Sequence, residues 1–146
     1  MLFKGEDCSL NLDIVSYELP AGEGDPTGDD RNWLVLRAKW INEEGEITID
    51  SNSCLLTYEL RELTASLKVV RAGIRASYES EFSEPYFMIS AVPAGEGTYT
   101  AWVSFALPNT LEDVDVAEVE CVMTDAELGA LIDELDALSE RFPDRN

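Results

Sequence analysis

Strict alternation of apolar and polar residues is the feature that most limits what this chain can fold into. Residues 98–107 carry an apolar side chain at every second position, namely Tyr99, Ala101, Val103, Phe105 and Leu107. Residues 32–41 repeat this period, and one face there collects Leu34, Leu36, Ala38 and Trp40. A period of two is typical of a strand with one face buried and the other in water. Both segments are therefore predicted to be half-buried strands of an antiparallel sheet.

Five further segments predict strands. Residues 9–19 alternate with a one-residue change of phase, which indicates a bulge. Residues 47–49 begin the strand that returns after a turn of hairpin length at residues 42–45. The remaining strands are predicted at residues 76–83, 86–92 and 114–123.

Residues 54–71 change to the period of a helix. Ser51 or Ser53 can cap its start, and Gly73 lies where such a helix would stop. The apolar positions that recur every three or four residues are Leu56, Leu60, Leu63 and Leu67. The predicted outer face carries the basic residues Arg61, Lys68 and Arg71.

A second amphipathic helix is predicted to begin after Thr124 and to end near Arg141. Thr124 and Glu127 have the spacing of a capping box, in which each side chain bonds to the other residue's backbone amide. The predicted order of elements is βββαββββα, in one domain that covers residues 1–146. About seven strands, mostly joined by hairpins, and two amphipathic helices define an α+β fold, in which helices cover part of an antiparallel sheet.

Thirty acidic and ten basic residues, with no histidine, give the chain a formal charge of −20. The lack of histidine excludes Ser-His-Asp and Cys-His catalysis, imidazole general bases and His-ligated metals. The negative charge argues against direct binding of nucleic acid or of an anionic membrane, because both require a basic face. We therefore expect a non-enzymatic protein with no cofactor and no metal, whose natural partner is cationic.

The beginning of the chain lacks the apolar region and cleavage site of a secretory signal, and no apolar run approaches the roughly 18 residues of a membrane span. A cytoplasmic location is therefore expected. Cys8, Cys54 and Cys121 are far apart, odd in number and surrounded by apolar residues. They are predicted to be buried free thiols.

Negative charge is concentrated after Pro108, where twelve acidic residues stand against two arginines and carry half of the net charge. This region is either a solvated face or a surface that steers and holds a basic partner. The second alternative predicts a partner-binding surface that contains Glu112, Asp113, Asp115, Asp133, Glu134, Asp136 and Glu140. Trp33 is its candidate aromatic anchor and Trp102 is also worth testing, although sheet or core packing is the alternative for both.

Other functions stay open on the residues alone. A cleft between sheet and helix could bind a ligand or a substrate through carboxylate or tyrosine groups, or the protein could be structural. The loop of residues 20–30 has carboxylates that suit calcium, without the spacing of an EF-hand. These carboxylates are Glu23, Asp25, Asp29 and Asp30. The pentapeptide Pro-Ala-Gly-Glu-Gly at residues 20–24 and 93–97 is interpreted as turn chemistry, because neither copy precedes a helix that could bind phosphate.

One motif resembles a known family. The segment Cys54-Leu-Leu-Thr-Tyr-Glu-Leu60, followed by Leu63 and Leu67, resembles the helix-opening motif of the WapI-like family. The members of this family are the immunity proteins of Wap-type polymorphic toxins. Asn52-Ser53 replaces the Asp-Pro of that motif, and Tyr58 replaces its tryptophan. The segment Asn32-Trp33-Leu34 and the ending Phe142-Pro143-Asp144-Arg145 also resemble the family.

The resemblance implies a small cytoplasmic protein that binds and neutralises a toxin domain. Such toxins are commonly nucleases with basic clefts, which an acidic inhibitor can occupy in place of phosphate. The prediction is thus an immunity protein that masks a basic, nuclease-type toxin domain and has no direct contact with nucleic acid or membrane.

Overall fold

The computed structural model describes residues 1–107 and 115–145, with the backbone alone at residue 115. Within these residues the chain forms eight strands, two α-helices and one turn of 3-10 helix at Asp30–Asn32. The first half contains β1 (Leu2–Lys4), β2 (Ser9–Tyr17), β3 (Trp33–Ile41), β4 (Ile47–Leu56) and α1 (Thr57–Arg71). The second half contains β5 (Tyr78–Glu79), β6 (Phe87–Gly95), β7 (Thr98–Leu107), β8 (Asp115–Thr124) and α2 (Asp125–Arg141).

The strands form two antiparallel four-stranded sheets in which chain neighbours are also sheet neighbours, β1-β2-β3-β4 and β5-β6-β7-β8. Each sheet is followed by one helix, so the order ββββα occurs twice. The α+β class is confirmed, with eight strands in two sheets where about seven strands in one sheet were predicted. The additional strand, β1, has only three residues, which are too few to show a period.

The two sheets and the two helices share one core. Strand β1 lies beside β8, and α1 packs against α2 as well as against strands of both sheets. The largest side chains that are fully buried in this core include Phe3, Leu36, Leu63, Phe87 and Phe105. Among the described residues, neither helix is long and apolar enough to cross a membrane.

The strand predicted at residues 98–107 is confirmed at both ends. It pairs along its length with β6 on one side and with β8 on the other, and its buried face is the predicted one. The predicted bulge in β2 is also confirmed, because the register with β3 shifts between Ile14 and Ser16. The strand predicted at residues 76–83 is only Tyr78–Glu79, since the chain then turns toward α1, where the Ser83 amide donates to Glu59 at 2.7 Å.

Helix α1 begins at Thr57 rather than at Cys54, and neither Ser51 nor Ser53 is its N-cap. Leu55 and Leu56 still pair with β3 and belong to β4. The N-cap is Leu56, and its amide donates to the Glu59 carboxylate at 3.0 Å. An apolar run that ends a buried strand has the same composition as the first turn of a buried helix, so its period could not separate the two.

Helix α2 begins as predicted. The Glu127 amide donates to the Thr124 hydroxyl and the Thr124 amide donates to the Glu127 carboxylate, both at 3.1 Å. The capping box is therefore confirmed, and the helix ends at Arg141.

Candidate partner-binding surface

The basic residues of α1, which are Arg61, Lys68 and Arg71, are exposed as predicted. Each makes a salt bridge with an acidic residue of α2 or of the segment that follows it. Lys68 bonds to Asp136 at 2.9 Å, and the Arg71 guanidinium bonds to Asp125 through two nitrogens at 3.1 Å each. Arg61 is paired with Asp144. The helix pattern did not indicate these partners, because they lie 54 to 83 residues away in sequence, which is beyond any local pattern.

These pairs change the electrostatics of the acidic partners. The hydrogen bond from Arg71 holds the pKa of Asp125 below its usual value. The pKa of Asp144 is also lowered, chiefly by the hydrogen bond from Arg61. Both carboxylates therefore stay charged at neutral pH and serve the contact between the two halves of the chain.

The predicted partner-binding residues lie in several places. On α2, Glu134 accepts from the Met1 ammonium at 2.8 Å, and Asp136 is bonded to Lys68. Asp133 and Glu140 are exposed and make no salt bridge among the described residues, although Arg71 is near enough to interact electrostatically with Asp133.

The other predicted residues do not lie on α2. Asp115 begins β8, and Glu112 and Asp113 lie outside the described residues. Trp33 is half-buried at the start of β3 in the first sheet, opposite Leu56. Of the predicted residues that the structure describes, four therefore share one element, α2.

A second group of acidic residues lies on the outer face of the second sheet. Glu118 and Glu120 are exposed and alternate along β8 with the buried residues Ala117, Val119 and Cys121. Trp102 of β7 is 46% exposed and lies directly opposite Glu120. The acidic C-terminal third is thus divided between α2 and this sheet face.

We refer to this outer surface as the second-sheet face and define it by Glu79, Met88, Ser90, Trp102, Ser104, Glu118 and Glu120. A shallow hollow of about 490 Å³ lies on it. Three glutamates and no basic residue line this hollow among the described residues. The alternation around Trp102 and along β8 indicated which of these side chains face outward. It did not indicate that Trp102 and Glu120 are neighbours, because that depends on how β7 pairs with β8.

The outer face of the first sheet has the opposite charge. Its exposed basic residues are Lys4, Arg37 and Lys39, and Asp13 is the acidic residue paired across from Arg37. Exposed apolar side chains accompany them, and these are Leu2, Ile47 and Ile49. The two faces therefore differ, because no described basic residue lines the hollow on the second-sheet face.

In the loop of residues 20–30, two of the four carboxylates accept hydrogen bonds from other residues of the loop. Asp25 accepts from the amide and hydroxyl of Thr27 at 2.9 and 2.7 Å, and Asp30 accepts from the Asp25 amide at 3.1 Å. Arg31 binds the carbonyl oxygens of Gly22 and Gly24. No three Cys, Asp or Glu side chains within residues 1–107 and 115–145 are placed to hold a metal ion.

The cysteines are free thiols, as predicted. Cys54 and Cys121 are buried, whereas Cys8 is half-buried. Burial is the main cause that raises the pKa of Cys54, to about 12. This thiol therefore stays protonated at neutral pH and is a poor nucleophile.

Comparison with protein families gives a direct assignment. Residues 1–143 match the model of the immunity protein WapI-like family, and the chain belongs to that family. No curated protein and no solved structure matches the chain.

Proposed function

We propose that this protein acts in the cytoplasm as a non-enzymatic inhibitor that binds a toxin domain and covers a basic surface on it. Membership of an immunity protein family implies a toxin as partner. The proposal of a basic, nuclease-type partner rests on one observation. The acidic groups of the second-sheet face and the residues Asp133 and Glu140 stay exposed, with no salt bridge to a described residue, while three bases of α1 are paired internally.

Electrostatic attraction explains why such a surface suits an immunity protein. Complementary charge raises the rate of association far above that of neutral partners, and a cell that meets a toxin needs rapid capture. The same acidic groups repel phosphate, so the inhibitor takes the place of the nucleic acid at the toxin and does not bind it.

The test uses the toxin domain encoded beside this chain. Binding is measured by isothermal titration calorimetry from about 50 to about 500 mM salt, where screening shortens the reach of exposed charges. We expect binding to weaken steadily as salt rises, and the toxin's activity to fall in proportion to the complex formed. Absence of binding at low salt would contradict the function, and binding that is indifferent to salt would contradict the electrostatic mechanism alone.

Two matched variants locate the contact. Glu118→Gln with Glu120→Gln removes two charges from the second-sheet face, and Asp133→Asn with Glu140→Gln removes two from α2. All four residues are exposed and free of salt bridges in the described part of the chain, so neither pair is expected to affect folding. If the toxin binds both double variants as tightly as it binds the unchanged protein, neither acidic surface makes the contact.

A further inference from the structure

The second-sheet face carries one row of side chains that crosses all four strands. Glu79 of β5 lies opposite Ser90 of β6, Ser90 lies opposite Trp102 of β7, and Trp102 lies opposite Glu120 of β8. Neighbouring strands are about 4.8 Å apart, so a carboxylate flanks the indole on each side within one or two strand spacings. Glu118 lies two positions from Glu120 on the same face of β8.

We infer that this row is a recognition site for an arginine side chain of the protein partner, with the guanidinium stacked on Trp102 and bonded to one of the flanking glutamates. The inference rests on the proposed function, since it states which chemical group of a basic toxin this face selects.

Three observations support an arginine as the occupant. The Trp102 ring is 46% exposed, although a large aromatic side chain gains from being covered. The hollow over it is lined by glutamates without a basic residue among the described ones, and the segment of residues 108–114 contains no Lys or Arg in its sequence. The apolar side chain of Met88, 50% exposed, lies beside the row and can contact the methylene groups of a long side chain.

Arginine fits this chemistry better than lysine. A planar guanidinium can stack on an indole and at the same time donate two parallel hydrogen bonds to a carboxylate, whereas an ammonium is a strongly hydrated point charge. Ser90 and Ser104 on either side of the tryptophan are small, so they leave its ring accessible along β6 and β7.

The other sheet supplies the matched control. Trp33 is a half-buried tryptophan on the outer side of β3, whose neighbours on the same face include Arg37 and Lys39. The cross-strand partner of Trp33 on β4 is Leu56 rather than a glutamate, so the Trp33→Leu variant should keep whatever arginine binding the protein has.

The first experiment uses capped hexa-arginine and hexalysine peptides and the indole N–H signals of the three tryptophans in a nitrogen-15 NMR spectrum. We expect hexa-arginine to shift the signal that Trp102→Leu removes, and to leave those of Trp33 and Trp40 in place. Trp102→Leu should weaken hexa-arginine binding about tenfold and Trp33→Leu hardly at all, with hexalysine bound several-fold more weakly than hexa-arginine. Equal losses in the two tryptophan variants, or an unmoved Trp102 signal, would overturn the inference.

The second experiment uses the toxin domain and separates the inference from the proposed function. If the toxin binds the unchanged protein and Trp102→Leu binds it equally well, the arginine site is wrong and the inhibitor function stands. If the toxin does not bind while hexa-arginine still selects Trp102, the proposed function is wrong and the arginine site stands. Thermal unfolding of each variant verifies that a loss of binding is not a loss of fold.

Discussion

The two halves of the chain have the same order of elements and outer sheet faces of opposite character. The first half has seven basic and fourteen acidic residues, and the second, from residue 74 onward, has three and sixteen. Lys4, Arg37 and Lys39 are exposed on the first sheet, whereas Glu118 and Glu120 are exposed on the second. One architecture thus supports two different surfaces, because inward residues determine packing and outward residues are free to vary.

The difference in charge also holds the halves together. The bases of α1 find their partners on α2 and just after it, so part of the excess negative charge is used within the fold. An exposed pair such as Lys68 and Asp136 contributes under about 1 kcal/mol by itself. It also holds the charge of Lys68 against α2, whereas no described basic residue lines the hollow of the second-sheet face.

The largest loss of unfolding free energy is expected when a core side chain is truncated in either half of the chain. Leu60 of α1 and Leu135 of α2 are both fully buried, so Leu60→Ala and Leu135→Ala should each cost about 2–5 kcal/mol of unfolding free energy. Because the helices share one core, urea unfolding should stay a single transition by circular dichroism and by fluorescence. Separate transitions for the two signals would mean that the halves unfold independently. The exposed change Ala137→Ser is the control and should lie within about 0.5 kcal/mol.

The two helix starts use a glutamate at the same position with different burial, and this predicts the next largest effect. Glu59 is 4% exposed and accepts from the amides of Leu56 and Ser83, whereas Glu127 is exposed. Glu59→Gln turns one acceptor oxygen into a donor and leaves a buried amide unpaired, at about 1–3 kcal/mol. Glu127→Gln should cost less than about 1 kcal/mol. Chemical denaturation compares them, and equal losses would contradict the role of burial.

The two copies of the Pro-Ala-Gly-Glu-Gly pentapeptide should differ in their tolerance of a side chain. Gly24 and Gly97 end the two copies with φ of +87° and +74°, a region that costs an L-residue about 1–2 kcal/mol. A Cβ at Gly24 would also lie 2.8 Å from Leu19 Cδ1 and 2.9 Å from Asp30 Cβ, whereas one at Gly97 would meet nothing within 4 Å. Gly24→Ala should therefore lower the melting temperature more than Gly97→Ala, and the reverse order would refute this account of the loop.

The smallest effect is a pH dependence of the contact between the halves. The lowered pKa values of Asp125 and Asp144 mean that their salt bridges stabilise the fold above the ordinary carboxyl pKa of 3.8 and lose that effect as the pH falls below it. The variant Asp125→Asn with Asp144→Asn should melt below the unchanged protein at neutral pH, and the difference should vanish in acid. Asp133→Asn with Glu140→Gln, which removes no salt bridge, serves as the control. A difference that persists in acid would point to another cause.

Local sequence patterns correctly predicted those strands and helix starts that depend on residues within the same segment. The alternation along β7 and the Thr124 and Glu127 capping box needed no distant partner to be read. The start of α1 was misplaced because Leu55 and Leu56 are held in β4 by pairing with β3, a contact that the apolar run does not reveal. Strand β1 was missed because three residues give no period.

The candidate surface was predictable only in its composition. The sequence correctly located half of the net charge after Pro108 but assigned it to one face. Salt bridges from α1 and from the Met1 ammonium engage Asp136 and Glu134, and the strand register places Glu120 beside Trp102. These are contacts between residues distant in sequence, and a pattern in one segment carries no information about them.

The salt bridges between the helices also constrain the order of events during synthesis. At about 5–20 residues per second, α1 emerges from the ribosome roughly 3 to 17 seconds before the acidic residues that pair with it, which lie 54 to 83 residues further along. The first sheet can form in that interval, but its helix stays without the surface that completes the core. Closure of the fold therefore depends on α2, which is translated after α1, and a chain that is interrupted before α2 leaves the apolar side of α1 without that partner.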